Sequence, residues 1–247
     1  MSVLTEIEKP VVNIAEAALN AVVKGKESNE ESWKEISDVT SYSATGAGFY
    51  LTRECKAGRL ISLMLPLPAY MRCYDHQKEL YRVWGLIQHC QRTQEDNKEK
   101  YHVGVAFIGK NPPSAYNADP SQRYRICGMN ENGLWKIEPA AGEFKVRKDI
   151  RYWTPFELYL SLIDAERHSL KGARALTENI SKGGAAVISD LDVNVGDRVK
   201  FIVADLDFSG LAVVCNRQDG EDKKTRLHLN FIEPNFPVEK LKGQTPK

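Results

Sequence analysis

Two short polar segments in the second half of the chain carry the residue types and spacing of a recognition site. Arg147-Lys148-Asp149-Ile150-Arg151 sets two arginines four positions apart, too close to Pro155 to lie in a helix interior. Further along, Asn179-Ile180-Ser181-Lys182-Gly183-Gly184 brings an amide, a hydroxyl and a glycine together as Asn-x-Ser-x-x-Gly. A guanidinium is a planar fork of donors for phosphate oxygens and also presents a face that stacks on a purine, whereas an ammonium is only a point charge. Asn179 can donate and accept at a base edge, and Ser181 can serve a base or a phosphate oxygen. Gly184, without a Cβ, lets a ligand come close to the backbone. Lys148 places a further cation between the two arginines. Singly, each pattern is common: arginines four apart usually mark a solvated basic stretch, and Asn-x-Ser-x-x-Gly occurs in many turns. Their joint occurrence, in this order beside predicted strands, favours binding.

The elements that must hold these residues emerge from an internal duplication. Ser43-Ala44-Thr45-Gly46 and Ser181-Lys182-Gly183-Gly184 are each Ser-x-x-Gly running into an apolar stretch. The next turn glycine, Gly58 in one copy and Gly196 in the other, follows at the same distance. Beyond it both copies alternate as half-buried strands do, over Leu60 to Leu65 and Val199 to Val203. The first copy then inserts a segment around Tyr70 to His76 and resumes at Arg82 to Ile87, while the second proceeds directly to Phe208 to Val214. Both close on a strand ending Phe-Ile, at Val103 to Ile108 and Leu227 to Ile232.

Ahead of the second copy, Phe156 to Leu162 alternates with a period of two, followed by an expected turn over Glu166 to Gly172 and a strand into Asn179. Six short strands with polar turns suit a sandwich or a small closed barrel, and closure removes exposed edges, which favours the barrel. Between the copies, Asn111-Pro112-Pro113-Ser114 breaks the pattern, and Tyr124 to Ile137 predicts a hairpin turning at Asn132-Gly133. Near the start, Val11, Ala15, Leu19 and Val22 fit helical spacing, while Ala21-Val22-Val23 fits the start of a strand; either way the segment reads as a packing element. The polar tail from Lys242 to Lys247 is expected to be disordered. The predicted fold is all-β: two six-stranded antiparallel barrels joined by a hairpin-containing linker, with minor helices. The boundaries expected are 1–110 for the first barrel, 111–142 for the interdomain segment and 143–247 for the second barrel.

The Arg-x-x-x-Arg and Asn-x-Ser-x-x-Gly segments together resemble the two signature motifs of the PilZ domain, a family with a six-stranded barrel fold and cyclic di-GMP as its ligand. The full pattern spans roughly Glu143 to Pro237, and a weaker version spans the first half. The resemblance implies a ligand site made of Arg147, Arg151, Asn179, Ser181 and Gly184, with Lys148 as an additional contact. It implies a receptor and not an enzyme, with cyclic di-GMP as ligand, no cofactor, no metal and no catalytic residue. The first half departs from the pattern: Ser41 stands where the second half has Asn179, and no arginine precedes Arg53. That copy resembles a degenerate PilZ-like barrel that binds no ligand and is kept for contacts with the second domain or another protein. The flagellar-brake type of PilZ protein shares this arrangement. Arg147 and Arg151, at the end of the interdomain segment, suggest a strap that folds over the ligand, changes the domain arrangement and so signals to a protein partner.

Composition narrows the other classes. Lys plus Arg total 34 against 33 Asp plus Glu, a net charge of +1, so an anion site must be local and a nucleic-acid polymer lacks its electrostatic footprint. No run approaches the ~18 apolar residues of a membrane span, which predicts a soluble cytoplasmic protein without membrane insertion. Cys55, Cys73, Cys90, Cys127 and Cys215 form no C-x-x-C pair and read as reduced, mostly structural thiols. His76, His89, His102, His168 and His228 are scattered in sequence, without metal-ligand spacing, and Trp33, Trp84, Trp135 and Trp153 read as core residues, with Trp153 near enough to Arg151 to approach a bound base. Two alternatives stay open: a flavin-binding split-barrel oxidoreductase, and an interaction module that has lost ligand binding.

Overall fold

A computed structural model of the chain describes residues 19–95, 98–142, 149–164 and 168–242. The first barrel consists of β1 (Asn20–Lys26), β2 (Ser32–Ser43), β3 (Gly46–Leu51), β4 (Leu60–Leu65), β5 (Tyr81–Glu95) and β6 (Lys98–Gly109). A one-turn helix α1 (Ala115–Ala118) and a hairpin of β7 (Tyr124–Met129) and β8 (Trp135–Pro139) follow. The second barrel consists of β9 (Glu157–Ile163), β10 (Ser169–Ser181), β11 (Gly184–Ser189), β12 (Arg198–Val203), β13 (Phe208–Asp219) and β14 (Thr225–Glu233), with a final short helix α2 (Glu239–Lys242). Both barrels close in the same order, β1-β2-β3-β6-β5-β4 and β9-β10-β11-β14-β13-β12, with antiparallel neighbours throughout. The all-β, two-barrel expectation holds.

Alternation fills the cores. In β12, Val199, Phe201 and Val203 point inward between exposed Arg198, Lys200 and Ile202. Phe49, Leu63, Val103, Val105 and Phe107 form the interior of the first barrel, and Leu160, Val187, Phe201, Val214 and Leu227 that of the second. Each such side chain contributes roughly 1.5–3 kcal/mol when removed from water. The shared turn glycines sit in one geometry: Gly58 at φ 87° and Gly196 at φ 97° occupy left-handed backbone that L side chains avoid. Their amides bond alike, to Ile87 O and Val214 O, each at 2.8 Å.

One sequence alternative is decided and one expectation is corrected. Ala21-Val22-Val23 belongs to strand β1, which pairs with β2 and β4, while residues 1–18, with the helical spacing at Val11 and Ala15, lie outside the described residues, as does the tail 243–247. The turn expected over Glu166 to Gly172 is shorter, because β10 has begun by Ser169 and Gly172 already pairs with Ser161. Gly172 is there for packing: a Cβ on it would strike the Tyr159 ring. The hairpin forms as expected, with Gly133 at φ 75° and the Asn130 side chain accepting from the amides of Asn132 and Leu134, both at 3.0 Å. It packs against the first barrel through Tyr124, Ile126 and Ile137, which meet Leu60 and Leu86. No helix among the described residues is long and apolar enough to cross a membrane.

Candidate functional site

The site begins with a bulge. Strand β10 pairs with β11 in register up to Thr177, skips Glu178, and resumes with Asn179 opposite Ala186. The skipped residue turns its carboxylate to Arg226 of β14, which is 1% exposed and donates from Nε to Glu178 Oε1 at 3.0 Å. The same guanidinium grips Asp222 with two bonds of 2.9 and 2.7 Å. One cation thus serves two carboxylates unequally. Burial pushes the Glu178 carboxyl above its ordinary range against the pull of Arg226. Burial also acts to raise Asp222, but there the paired hydrogen bonds and charge of Arg226 prevail and the group is held low. This triad locks the bulge that presents Asn179.

After the bulge, Ser181 closes the turn by donating to Gly184 O at 3.2 Å. Its proton is committed there, which leaves its lone pairs for a ligand donor. Gly184 has a structural reason that sequence reasoning assigned to a ligand: a Cβ would strike the carbonyl oxygen of Leu229 on β14. The close approach is therefore first of all between neighbouring strands.

Arg151 reaches this wall through main-chain pairing. Tyr152 forms an antiparallel bridge with Ile180, with bonds of 2.8 Å from Tyr152 N and 3.0 Å from Ile180 N. The bridge fastens the segment beside the Asn179 to Ser181 stretch and leaves Arg151 facing two cavities. One, about 400 Å³, is lined by the small residues Ser181, Gly183, Gly184, Ala185 and Ala186 together with Asp149, Arg151, Cys215 and His228. The second, about 380 Å³, runs from Asn179, Asn216 and Gln218 of the second barrel to Gln88 of the first and Arg125 of the hairpin. Arg151, Ala186 and His228 border both.

Of the residues expected from sequence, Arg151, Asn179, Ser181 and Gly184 come together here; Arg147 and Lys148 lie outside the described residues. Sequence reasoning missed His228, Asn216, Gln218, Gln88 and Arg125. Their signal was faint: His228 is a polar position on a predicted strand and Asn216 lies two residues beyond the predicted end of another, and only the pairing of Asn216 with His228 and of His228 with Ala186 brings them to the cavities. Trp153 is 2% exposed and packs with Ala106, Met129 and Trp135, while also bordering the second cavity.

One further expectation is sharpened and another changes. His89 and His102, distant in sequence, are stacked with ring centroids 5.2 Å apart, joined by an Nε2 to Nδ1 bond of 3.0 Å, because β5 and β6 pair. The cysteines are less uniformly structural than expected: Cys55 is buried, but Cys127 and Cys215 are exposed, and Cys215 borders the first cavity. Among the described residues no group of three or more His, Cys, Asp and Glu is placed to hold a metal ion.

Residues 145–242 match the family model of the PilZ domain. No curated protein matches the chain. Among solved structures, the chain is similar to the Bacillus subtilis inhibitor of motility MotI/DgrA, with 14% identity over 93% of each chain and a TM-score of 0.32. It is also similar to Borreliella burgdorferi PlzA in complex with c-di-GMP, with 11% identity over 91% of this chain and 85% of that one and a TM-score of 0.29. A third is Escherichia coli YcgR in complex with c-di-GMP, with 11% identity over 93% of this chain and 82% of that one and a TM-score of 0.30. The family match lies on the second barrel, where the bulge, the Ser181 to Gly184 turn and the Arg151 bridge are found, so it is residues 145–242 of this chain that are similar to a PilZ domain.

Proposed function

We propose that this protein is a receptor for cyclic di-GMP, held by the second barrel at the two cavities that meet at Arg151. The ligand carries two phosphodiester anions and two guanines, so it asks for a planar cation beside amide and hydroxyl groups above a floor without bulky side chains. The observation that carries the reading is the Tyr152 to Ile180 bridge, which holds Arg151 where it borders both the cavity lined by Ser181 and the cavity lined by Asn179. In this reading Arg151 binds phosphate and stacks on a base, Asn179 meets a guanine edge, and Ser181 and the Gly184 backbone line the contact. Arg147 and Lys148 supply further phosphate contacts from the preceding segment. The first barrel, 1–110, binds no nucleotide; 111–142 connects it to the receptor domain, 143–247. Binding at Arg151 shifts the barrels relative to each other and so presents a changed surface to a protein partner.

Isothermal titration with cyclic di-GMP tests this directly. Saturable binding is expected for the parent protein, its loss for Arg151→Ala, and no change for Ser43→Ala, at the position in the first barrel that corresponds to Ser181. Binding that survives Arg151→Ala would put the site elsewhere, and no binding by the parent would end the proposal.

A further inference from the structure

The first barrel has its own version of the cavity wall, and that version is filled from inside the molecule. By strand register Ser41 corresponds to Asn179, Gly46 to Gly184, and Ala106, the partner of Gly46, to Asn230, the partner of Gly184. In the second barrel Gly184 and Asn230 line an open cavity. In the first, Gly46 is buried, and a Cβ on it would strike the Trp153 indole as well as come within 2.5 Å of Val105 O. Ala106 also packs against Trp153. Ser41 Oγ, at the Asn179 position, accepts the backbone N–H of Trp153 at 3.1 Å. The neighbouring Trp135 indole donates to Thr45 O at 3.1 Å and completes the filling.

Trp153 stands two residues after Arg151. From Tyr152 onward the segment bonds to both barrels: Tyr152 N and O to Ile180 of the second, and Trp153 N to Ser41 of the first. The Tyr152 ring itself lies 5.8 Å from the His102 ring of the first barrel while packing into the core cluster of the second. We infer that the vestigial wall of the first barrel is a socket for Trp153, and that Trp153 is a positioning residue which, seated there, holds Arg151 at the cavities. A side chain ordered before the ligand arrives does not have to be ordered by it, so a filled socket raises affinity through Arg151, beyond any contact Trp153 makes where it borders the second cavity. This role rests on the reading of Arg151 as a ligand residue.

The test is calorimetric titration of the full chain with cyclic di-GMP, on the parent, Trp153→Ala, Trp153→Phe and Ser41→Ala, with Trp153→Ala repeated in an Arg151→Lys background. Trp153→Ala is expected to weaken binding on the order of tenfold and Ser41→Ala by about threefold, with Trp153→Phe retaining most of the affinity. Because Trp153 acts through Arg151, its removal should change affinity by less than about twofold once Arg151 is lysine. A merely structural role would lower the melting temperature and leave affinity well below it, and this non-additivity, unmoved. Ser41→Ala keeps the indole and tests the socket if Trp153→Ala fails to fold. A parent that binds, with Ser41→Ala and Trp153→Ala binding equally well, overturns the socket alone. A parent that does not bind overturns the receptor reading and the socket with it.

Discussion

The two barrels use one scaffold at the same place for opposite ends. Each has a bulge before its Ser-x-x-Gly turn, at Thr40 in the first and Glu178 in the second. In each the bulged side chain bonds to the same position on the last strand: Thr40 Oγ1 to His102 Nε2 at 3.1 Å, Glu178 Oε1 to Arg226 Nε at 3.0 Å. Register makes the remaining pairs equally plain, with Gly104 standing where His228 stands and His89 where Asn216 stands. The first barrel answers with rings. His89 lies against Gly104, where a Cβ would strike its imidazole, and His102 stacks on His89 and meets Tyr152. The second answers with a buried ion triad and keeps its outer wall open. Equivalent backbones thus diverge into a filled interface and an empty cavity through the side chains at a handful of paired positions.

Several experiments would break or sharpen that contrast. The largest effect is expected from Arg226→Met, which leaves Glu178 and Asp222 buried without their cation and should cost about 3–5 kcal/mol. Thermal unfolding should show a fall in Tm on the order of 10 °C, and adding Glu178→Leu should recover part of it. Arg151→Ala comes next: titration should show cyclic di-GMP affinity falling about 100-fold or more, the scale of losing two charge-assisted hydrogen bonds. Arg53→Ala in the first barrel should leave affinity unchanged. A smaller effect is expected from Thr40→Val, which removes the counterpart of the Glu178 contact without stranding a charge and should cost about 1 kcal/mol in denaturant unfolding. If Thr40→Val proved as damaging as Arg226→Met, the contrast between a neutral contact at the first bulge and a charged one at the second would fail.

The smallest perturbation is a labelling experiment. Cys127 and Cys215 are exposed, whereas burial pushes the Cys55 thiol up to about 12, out of reach of neutral-pH alkylation. Mass spectrometry should find Cys127 and Cys215 modified and Cys55 spared. Saturating cyclic di-GMP should then protect Cys215, which borders the first cavity, and not Cys127 on the hairpin. Equal labelling of both with and without nucleotide would detach the ligand from that cavity.

Much of this organisation was legible in residue order. Period-two alternation gave the strands, and the equal spacing of Gly46 to Gly58 and Gly184 to Gly196 exposed the duplication, because a strand's inward face and a turn's left-handed glycine are local requirements. The candidate ligand residues Arg151, Asn179, Ser181 and Gly184 were found the same way, through two compact motifs. Gly172 misled, since a glycine under a tyrosine ring looks in sequence like a glycine in a turn.

Local pattern determined which stretches become strands, where the chain turns, and which polar groups gather in short motifs, since each of these is set within a few residues. Tertiary structure alone decided that Glu178 bulges toward Arg226, that His89 finds His102, and that Trp153 fills in one barrel the place left open in the other. Those outcomes depend on register between strands far apart in the chain, and a shift of one residue in any pairing would have turned each of these side chains to the opposite face.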